Sequence, residues 1–404
     1  MSQPHSPVRT TAPRTLMVAQ SGGATAVINA SLAGVIEGAL AAGFGRVLGL
    51  RHGIEGLWGA ERVALHTVPA ATLATLRQTP SAALGTGRYK LRDEDLDRAL
   101  AAFRRDGVSA FVYIGGNDSA DTAHRLDAAA RVAGHDLAVV SVPKTIDNDL
   151  PGTDHCPGYG SIARFLAHAV RDATFDTLAS PQLYPVKVIE VMGRDAGWVP
   201  AAATLGFADA DEELRPLVYL PERPPDSADA IVADIAARVA GRGWATVVVP
   251  ETLRDAAGSH LSGAEPDHID RFGHPYFPGP GLALMRLVRE RLDLRARDEK
   301  PGTFARMAMA LASPVDLDEA YRVGHAAARL VAAGERDVMT TLVREPGPDY
   351  RVTVGTVPLE IVANRVRPLD AAFIGDDGHS TTDAFRDYAV PLLGPGAFGE
   401  YVRI

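Results

Sequence analysis

The sequence predicts an α/β protein built on open, mostly parallel sheets with helices on both faces. Short apolar runs end in glycine-rich loops, alanine- and leucine-rich stretches of helical period lie between them, and 404 residues exceed the usual single domain, so two domains are expected. The runs Leu16–Ala19, Phe111–Ile114, Leu137–Val142, Val186–Met192 and Ala245–Val249 read as buried strands. Ala24–Ala42, Asp93–Arg105, Ala120–Ala133 and Asp316–Ala333 read as amphipathic helices packed on the sheets. Ser2–Pro13, polar and with three prolines, reads as an unstructured tail, and Pro221–Pro225 and Glu265–Pro280 as loops.

Composition narrows the class. With 46% hydrophobic and 23% charged residues the chain is neither disordered nor fibrous. A formal charge of −9 gives no global basic footprint for nucleic acid or an anionic membrane, yet leaves room for a local phosphate pocket. The single cysteine, Cys156, has no internal disulfide partner, and no apolar run has the length of a membrane span, so the cytoplasm is the expected compartment.

In open α/β sheets ligands bind beyond the carboxyl ends of the strands, so the loops there carry the functional signal. Ser21-Gly22-Gly23-Ala24-Thr25 follows the first strand; its glycines let backbone N–H groups approach a phosphate at a helix N-terminus, although a tight turn explains it equally well. Gly115-Gly116-Asn117-Asp118-Ser119 offers metal-ligand or capping oxygens, with Asp118 or Ser119 as a plain N-cap the structural alternative. Pro143-Lys144-Thr145-Ile146-Asp147-Asn148-Asp149 places a lysine, a hydroxyl and two carboxylates within six residues. Those are the parts that bind phosphate, orient a hydroxyl and accept its proton. Met192-Gly193-Arg194-Asp195-Ala196-Gly197-Trp198 presents Arg194 where glycine permits close approach to a phosphate or sugar, with Met192 and Trp198 better suited to packing.

These loops, in this order, resemble the phosphofructokinase family: GGNDS, PKTIDND and VIEVMGRDAGW look like its three main active-site motifs, and the match runs from about Leu16 to beyond Arg306. Gly85 to Arg88, Pro250-Glu251 and Pro301 to Arg306 resemble further family elements. The resemblance implies two Rossmann-like three-layer domains. A donor domain would take residues 14–158 plus about 306–365, a sugar-phosphate domain 159–305 plus about 366–404, and residues 1–13 the tail. It implies transfer of a phosphoryl group to the 1-hydroxyl of fructose 6-phosphate, with Mg2+.

Residue by residue, the resemblance makes Asp147 the catalytic base and Thr145 its partner in holding the acceptor hydroxyl. Met192, Gly193, Arg194 and Glu251 would contact the sugar; Thr303 and Arg306 would end a substrate segment, Arg306 on the 6-phosphate. Gly23 and Arg88 would meet the donor. Arg297 lies where the family places an arginine that enters a neighbouring subunit's site, implying a homo-oligomer, most simply a dimer with shared sites. Three positions depart from the pattern. Asn117 replaces a magnesium-binding aspartate; Pro185 replaces an inter-subunit arginine, with Lys187 facing the same side two residues on; Ala305 replaces a glutamine.

The donor turns on two positions. ATP-using members look like GGDGS and PGTIDND, with glycine where this chain has Asp118 and Lys144. A carboxylate would repel a nucleotide's α-phosphate, and a lysine reaches the shorter inorganic pyrophosphate, so the resemblance is to the pyrophosphate-dependent members. The alternatives are an ATP-dependent kinase of the same fold, a kinase for another ketose phosphate, and a non-catalytic sugar-phosphate sensor.

Overall fold

The computed structural model describes residues 14–207, 213–263, 266–269, 275–276, 278–399 and 401–402. Its strands are β1 (Thr15–Gln20), β2 (Arg46–Gly49), β3 (Val63–Ala64), β4 (Val108–Gly115), β5 (Ala138–Pro143), β6 (Val186–Val191), β7 (Leu217–Val218), β8 (Ala245–Pro250), β9 (His268–Ile269), β10 (Pro275–Tyr276), β11 (Ala296–Glu299), β12 (Val338–Arg344) and β13 (Val352–Pro358). A seven-stranded sheet has the order β13-β12-β5-β4-β1-β2-β3 and a four-stranded sheet the order β11-β6-β8-β7. The small sheet is parallel throughout; in the large one only the edge strands β3 and β13 run antiparallel to their neighbours. The α/β architecture is the one the sequence predicts.

Strands β1, β5, β6 and β8 are buried at every position, as strands covered on both faces must be, and this explains their unbroken apolar runs. On one face of the large sheet the helices Ile28–Ala41 and Pro314–Ala333 pack side by side, while Leu96–Arg105 and Asn117–Val132 cover the other. The small sheet is flanked by the helices Tyr159–Ala179, Ala228–Arg242 and Pro280–Leu292. In the large sheet the chain moves from β1 to β2 on one side, whereas β4 and β5 lie on the other. The loops after β1 and β4 therefore diverge, and the carboxyl ends of β6 and β8 close the crevice between them.

The first helix begins at Ile28, not at Ala24 as the sequence suggests. The intervening N–H groups are already engaged: Ser21 donates to Ile114 O, Gly22 to Gly87 O, Ala26 to Arg306 O and Val27 to Thr25 Oγ1. Helical i to i+4 bonding starts at Val27 O, which accepts the Ser31 N–H, so Gly23 sits in a loop ahead of this helix and outside its first turn. Of Glu265–Pro280, the described part includes β9 and β10, which pair antiparallel; the remainder, like Ser2–Pro13, lies outside the described residues. No helix among the described residues is long and apolar enough to cross a membrane.

Candidate active site

The predicted loops converge on one cleft. Gly23, Arg88, Asn117, Asp118, Lys144, Thr145, Asp147, Met192, Gly193, Arg194, Glu251 and Arg306 all line it, joined by Gly22, Asp149, Asp195 and Val366. Asp149 and Asp195 belong to the motif loops, where the sequence assigns them no individual role, and Val366 lies in a stretch without any motif signal.

Lys144 continues β5 by donating its N–H to Gly115 O, and its side chain, only 4% exposed, turns across to bond Gly23 O at 2.9 Å. Gly22 has φ +76°, and a Cβ there would lie 3.1 Å from Lys144 Nζ, so glycine makes room for the ammonium. Burial, with Arg306 and Arg88 nearby, pulls the Lys144 pKa down to about 8, against the opposing pull of Asp147. Asp147 is pushed the other way, up to about 7, by burial and then by Asp149 and Glu251, with Arg194 and Lys144 opposing. Burial also raises Asp149, although the Thr145 hydroxyl bonds it, and raises Glu251. A half-buried carboxyl held near neutrality beside cations is what general-base chemistry requires.

The helix Asn117–Val132 is capped by Gly116, so neither Asp118 nor Ser119 is the N-cap. Asp118 lies in the first turn, favourable for its charge, and lines the cleft. Asn117 Oδ1 accepts the Asp118 N–H at 2.8 Å while its amide donates to Arg365 O at 3.4 Å. Its oxygen is thus already bonded within its own helix turn. Among the described residues no three His, Cys, Asp or Glu side chains form a cage for a metal ion. The donor set fits an ion that arrives on substrate phosphates and takes one or two protein oxygens, the usual habit of Mg2+.

Arg306 lies closer to the donor loop than its predicted role alone requires. Its backbone O accepts the Ala26 N–H, and a Cβ on Gly23 would fall 2.4 Å from its Nη1. Glu251 follows β8 and donates its N–H to Val191 O, which places it beside Met192 and Arg194 at the end of β6. Trp198 is a core residue, as expected, with its indole N–H bonded to Arg367 O.

Two predicted residues stand outside the cleft. Thr303 begins the short helix Thr303–Met307 and is exposed. Arg297, on β11, lies over the Tyr184 ring at 4.1 Å. Lys187, on β6, bonds Asp176 at 2.5 Å, so within this chain its charge is directed to the helix Tyr159–Ala179.

Residues 15–331 match the family described as Phosphofructokinase. A pyrophosphate--fructose 6-phosphate 1-phosphotransferase of Xanthomonas campestris pv. campestris is 39% identical over 95% of this chain and 93% of its own length. A sulfofructose kinase of Alkalicoccus urumqiensis is 32% identical over 86% of this chain and 88% of its own. Among solved structures, a pyrophosphate-dependent phosphofructokinase from Nitrosospira multiformis superposes with a TM-score of 0.86 at 34% identity, covering 96% of this chain and 94% of that one. A family match over most of the chain, near full-length relatives and the converged motif loops lead to one conclusion: the chain belongs to the phosphofructokinase family.

Proposed function

We propose that the protein transfers a phosphoryl group from inorganic pyrophosphate to the 1-hydroxyl of fructose 6-phosphate, reversibly, giving fructose 1,6-bisphosphate and phosphate, and that it works in the cytoplasm. The observation that carries this reading is the meeting of Lys144 and Asp118 with Asp147 in one cleft, the lysine ammonium bonded against the Gly22-Gly23 loop.

Asp147 takes the proton of the acceptor hydroxyl, which Thr145 helps to hold. The Gly23 N–H meets the donor, and the Lys144 ammonium and Arg88 stabilise negative charge as the phosphoryl group moves; polyanion binding favours the protonated lysine. Met192, Gly193, Arg194 and Glu251 bind the sugar, and Arg306 its 6-phosphate. Mg2+, when bound, would neutralise charge on the transferring phosphates, and the remaining lone pair of Asn117 Oδ1 would help to hold it.

The division into a donor domain and a sugar-phosphate domain belongs to the same proposal, supported by the two sheets meeting at the cleft. So does a homodimer with shared sites. Arg297, on an edge strand and outside its own chain's cleft, and the exposed Thr303-Phe304 would complete the partner's acceptor pocket.

The test is a donor-by-acceptor activity matrix: pyrophosphate, polyphosphate, ATP and ADP against fructose 6-phosphate, other ketose phosphates and a sulfonated fructose. The reading requires the pyrophosphate and fructose 6-phosphate pair to be fastest; turnover with none of the donors would favour a sensor. Arg306→Ala is expected to raise the KM for fructose 6-phosphate roughly 10–100-fold, from the loss of a charged hydrogen bond worth about 1.5–3 kcal/mol. Its proximity to Gly23 and Lys144 adds a fall in kcat. An unchanged KM would remove Arg306 from the acceptor site.

A further inference from the structure

The loop that carries the base is held from behind by side chains that never reach the cleft. Asn148, between Asp147 and Asp149, is fully buried with φ 53°, a left-handed conformation that asparagine tolerates better than most residues. Its Oδ1 accepts the Cys156 N–H at 2.8 Å, so its amide must face the other way, where it donates to the Tyr388 hydroxyl at 2.9 Å. Tyr388 in turn donates to Asp154 O at 2.8 Å. Arg367 completes the enclosure: its side chain reaches Asn148 O at 2.8 Å, Thr153 O at 2.7 Å and Asp154 O at 2.8 Å, and its N–H donates to Asp149 O at 2.6 Å.

The Tyr388 ring is itself fixed. It stacks on Phe373 with centroids 5.3 Å apart, packs at 5.4 Å from Trp198 and carries the Arg344 guanidinium at 4.7 Å. The hydroxyl therefore has a defined position. Tyr388 and Arg367 both lie beyond the family match that ends at residue 331, and neither lines the cleft.

We propose that Tyr388, acting with Arg367 through Asn148, is a positioning residue for phosphoryl transfer: it fixes the Asp147–Asp149 loop without touching either substrate. The proposal rests on Asp147 being the base. Without the hydroxyl, the Asn148 amide and Asp154 O lose a buried partner and the loop loses a restraint, whereas the residues that bind substrate are untouched. Small displacements of a reacting group are costly to rate, so the effect falls on kcat.

Tyr388→Phe is the test, since it keeps the ring and its packing and removes one oxygen. Steady-state rates with magnesium pyrophosphate should show kcat lowered about 10–100-fold and both KM values within about twofold. The acid limb of the pH profile should move toward the ordinary carboxylate range as Asp147 gains access to water. The charged groups facing Asp147 are Asp149, Glu251, Arg194 and Lys144; the substitution changes none of them, so a moved limb reports the loop's position.

Leu393→Ala serves as the packing control: it truncates a fully buried side chain of the helix Asp383–Leu393, which carries Tyr388, apart from the rings that fix the tyrosine, should lower the melting temperature, and should leave kcat and the pH profile alone. Two results would overturn the proposal. One is Tyr388→Phe with wild-type kcat and acid limb; the other is Leu393→Ala reproducing the same kcat loss. Asp147→Asn measured alongside keeps the readings apart, because wild-type kcat in that variant would remove the base assignment itself.

Discussion

Asp147→Asn is expected to lower kcat by about 10²–10⁴-fold while fructose 6-phosphate and pyrophosphate still bind, the usual consequence of losing a general base. The wild-type profile of kcat/KM, corrected for the ionisation of pyrophosphate, should fall on the acid side with an apparent pKa of about 7 and on the alkaline side with one of about 8, from Asp147 and Lys144. The acid limb should vanish in the variant. Stability supplies an independent check. The folded Asp147 carboxyl keeps its proton up to about 7, whereas the unfolded chain releases it near pH ~4, so this group weakens the fold as pH rises through that window. At pH 8 the asparagine variant should therefore melt higher than wild type. Near-wild-type kcat would remove Asp147 from the chemistry.

Donor choice gives the second large effect. Lys144→Ala is expected to cut pyrophosphate turnover by about 10²–10³-fold, because it deletes a buried cation aimed at the developing charge. Asp118→Gly removes the carboxylate that repels a nucleotide's α-phosphate and should give measurable ATP use, increased by adding Lys144→Gly. The gain should stay well below the loss. Asp118→Gly removes a charge but supplies no contacts for an adenine or a ribose. Rates for wild type and the three variants with both donors measure it. Lys144→Ala with unimpaired pyrophosphate turnover would refute the assigned role.

The cleft was legible because its residues cluster in short motifs directly after apolar strands, where local sequence and topology specify the same place. What was hidden is non-local or masked by polarity. Arg367 and Tyr388 lie in a stretch with no phosphate or metal pattern and meet Asn148 only through the tertiary fold. Strand β12 was missed because Thr340 and Thr341 are buried polar residues in its middle, which breaks the apolar run. The helix Tyr159–Ala179 buries Arg171, Thr174 and Thr177, so its inward face reads as polar. The misplaced start of the first helix has a similar origin: Ala26 bonds to Arg306, far along the chain, and no local pattern announces it.

The most direct measurement is phosphorus NMR of the purified protein with Mg2+, pyrophosphate and fructose 6-phosphate. The account predicts fructose 1,6-bisphosphate and inorganic phosphate appearing in equal amounts, with little product when ATP replaces pyrophosphate. Bisphosphate formed from ATP but not from pyrophosphate would contradict it, leaving the family intact and the donor assignment wrong.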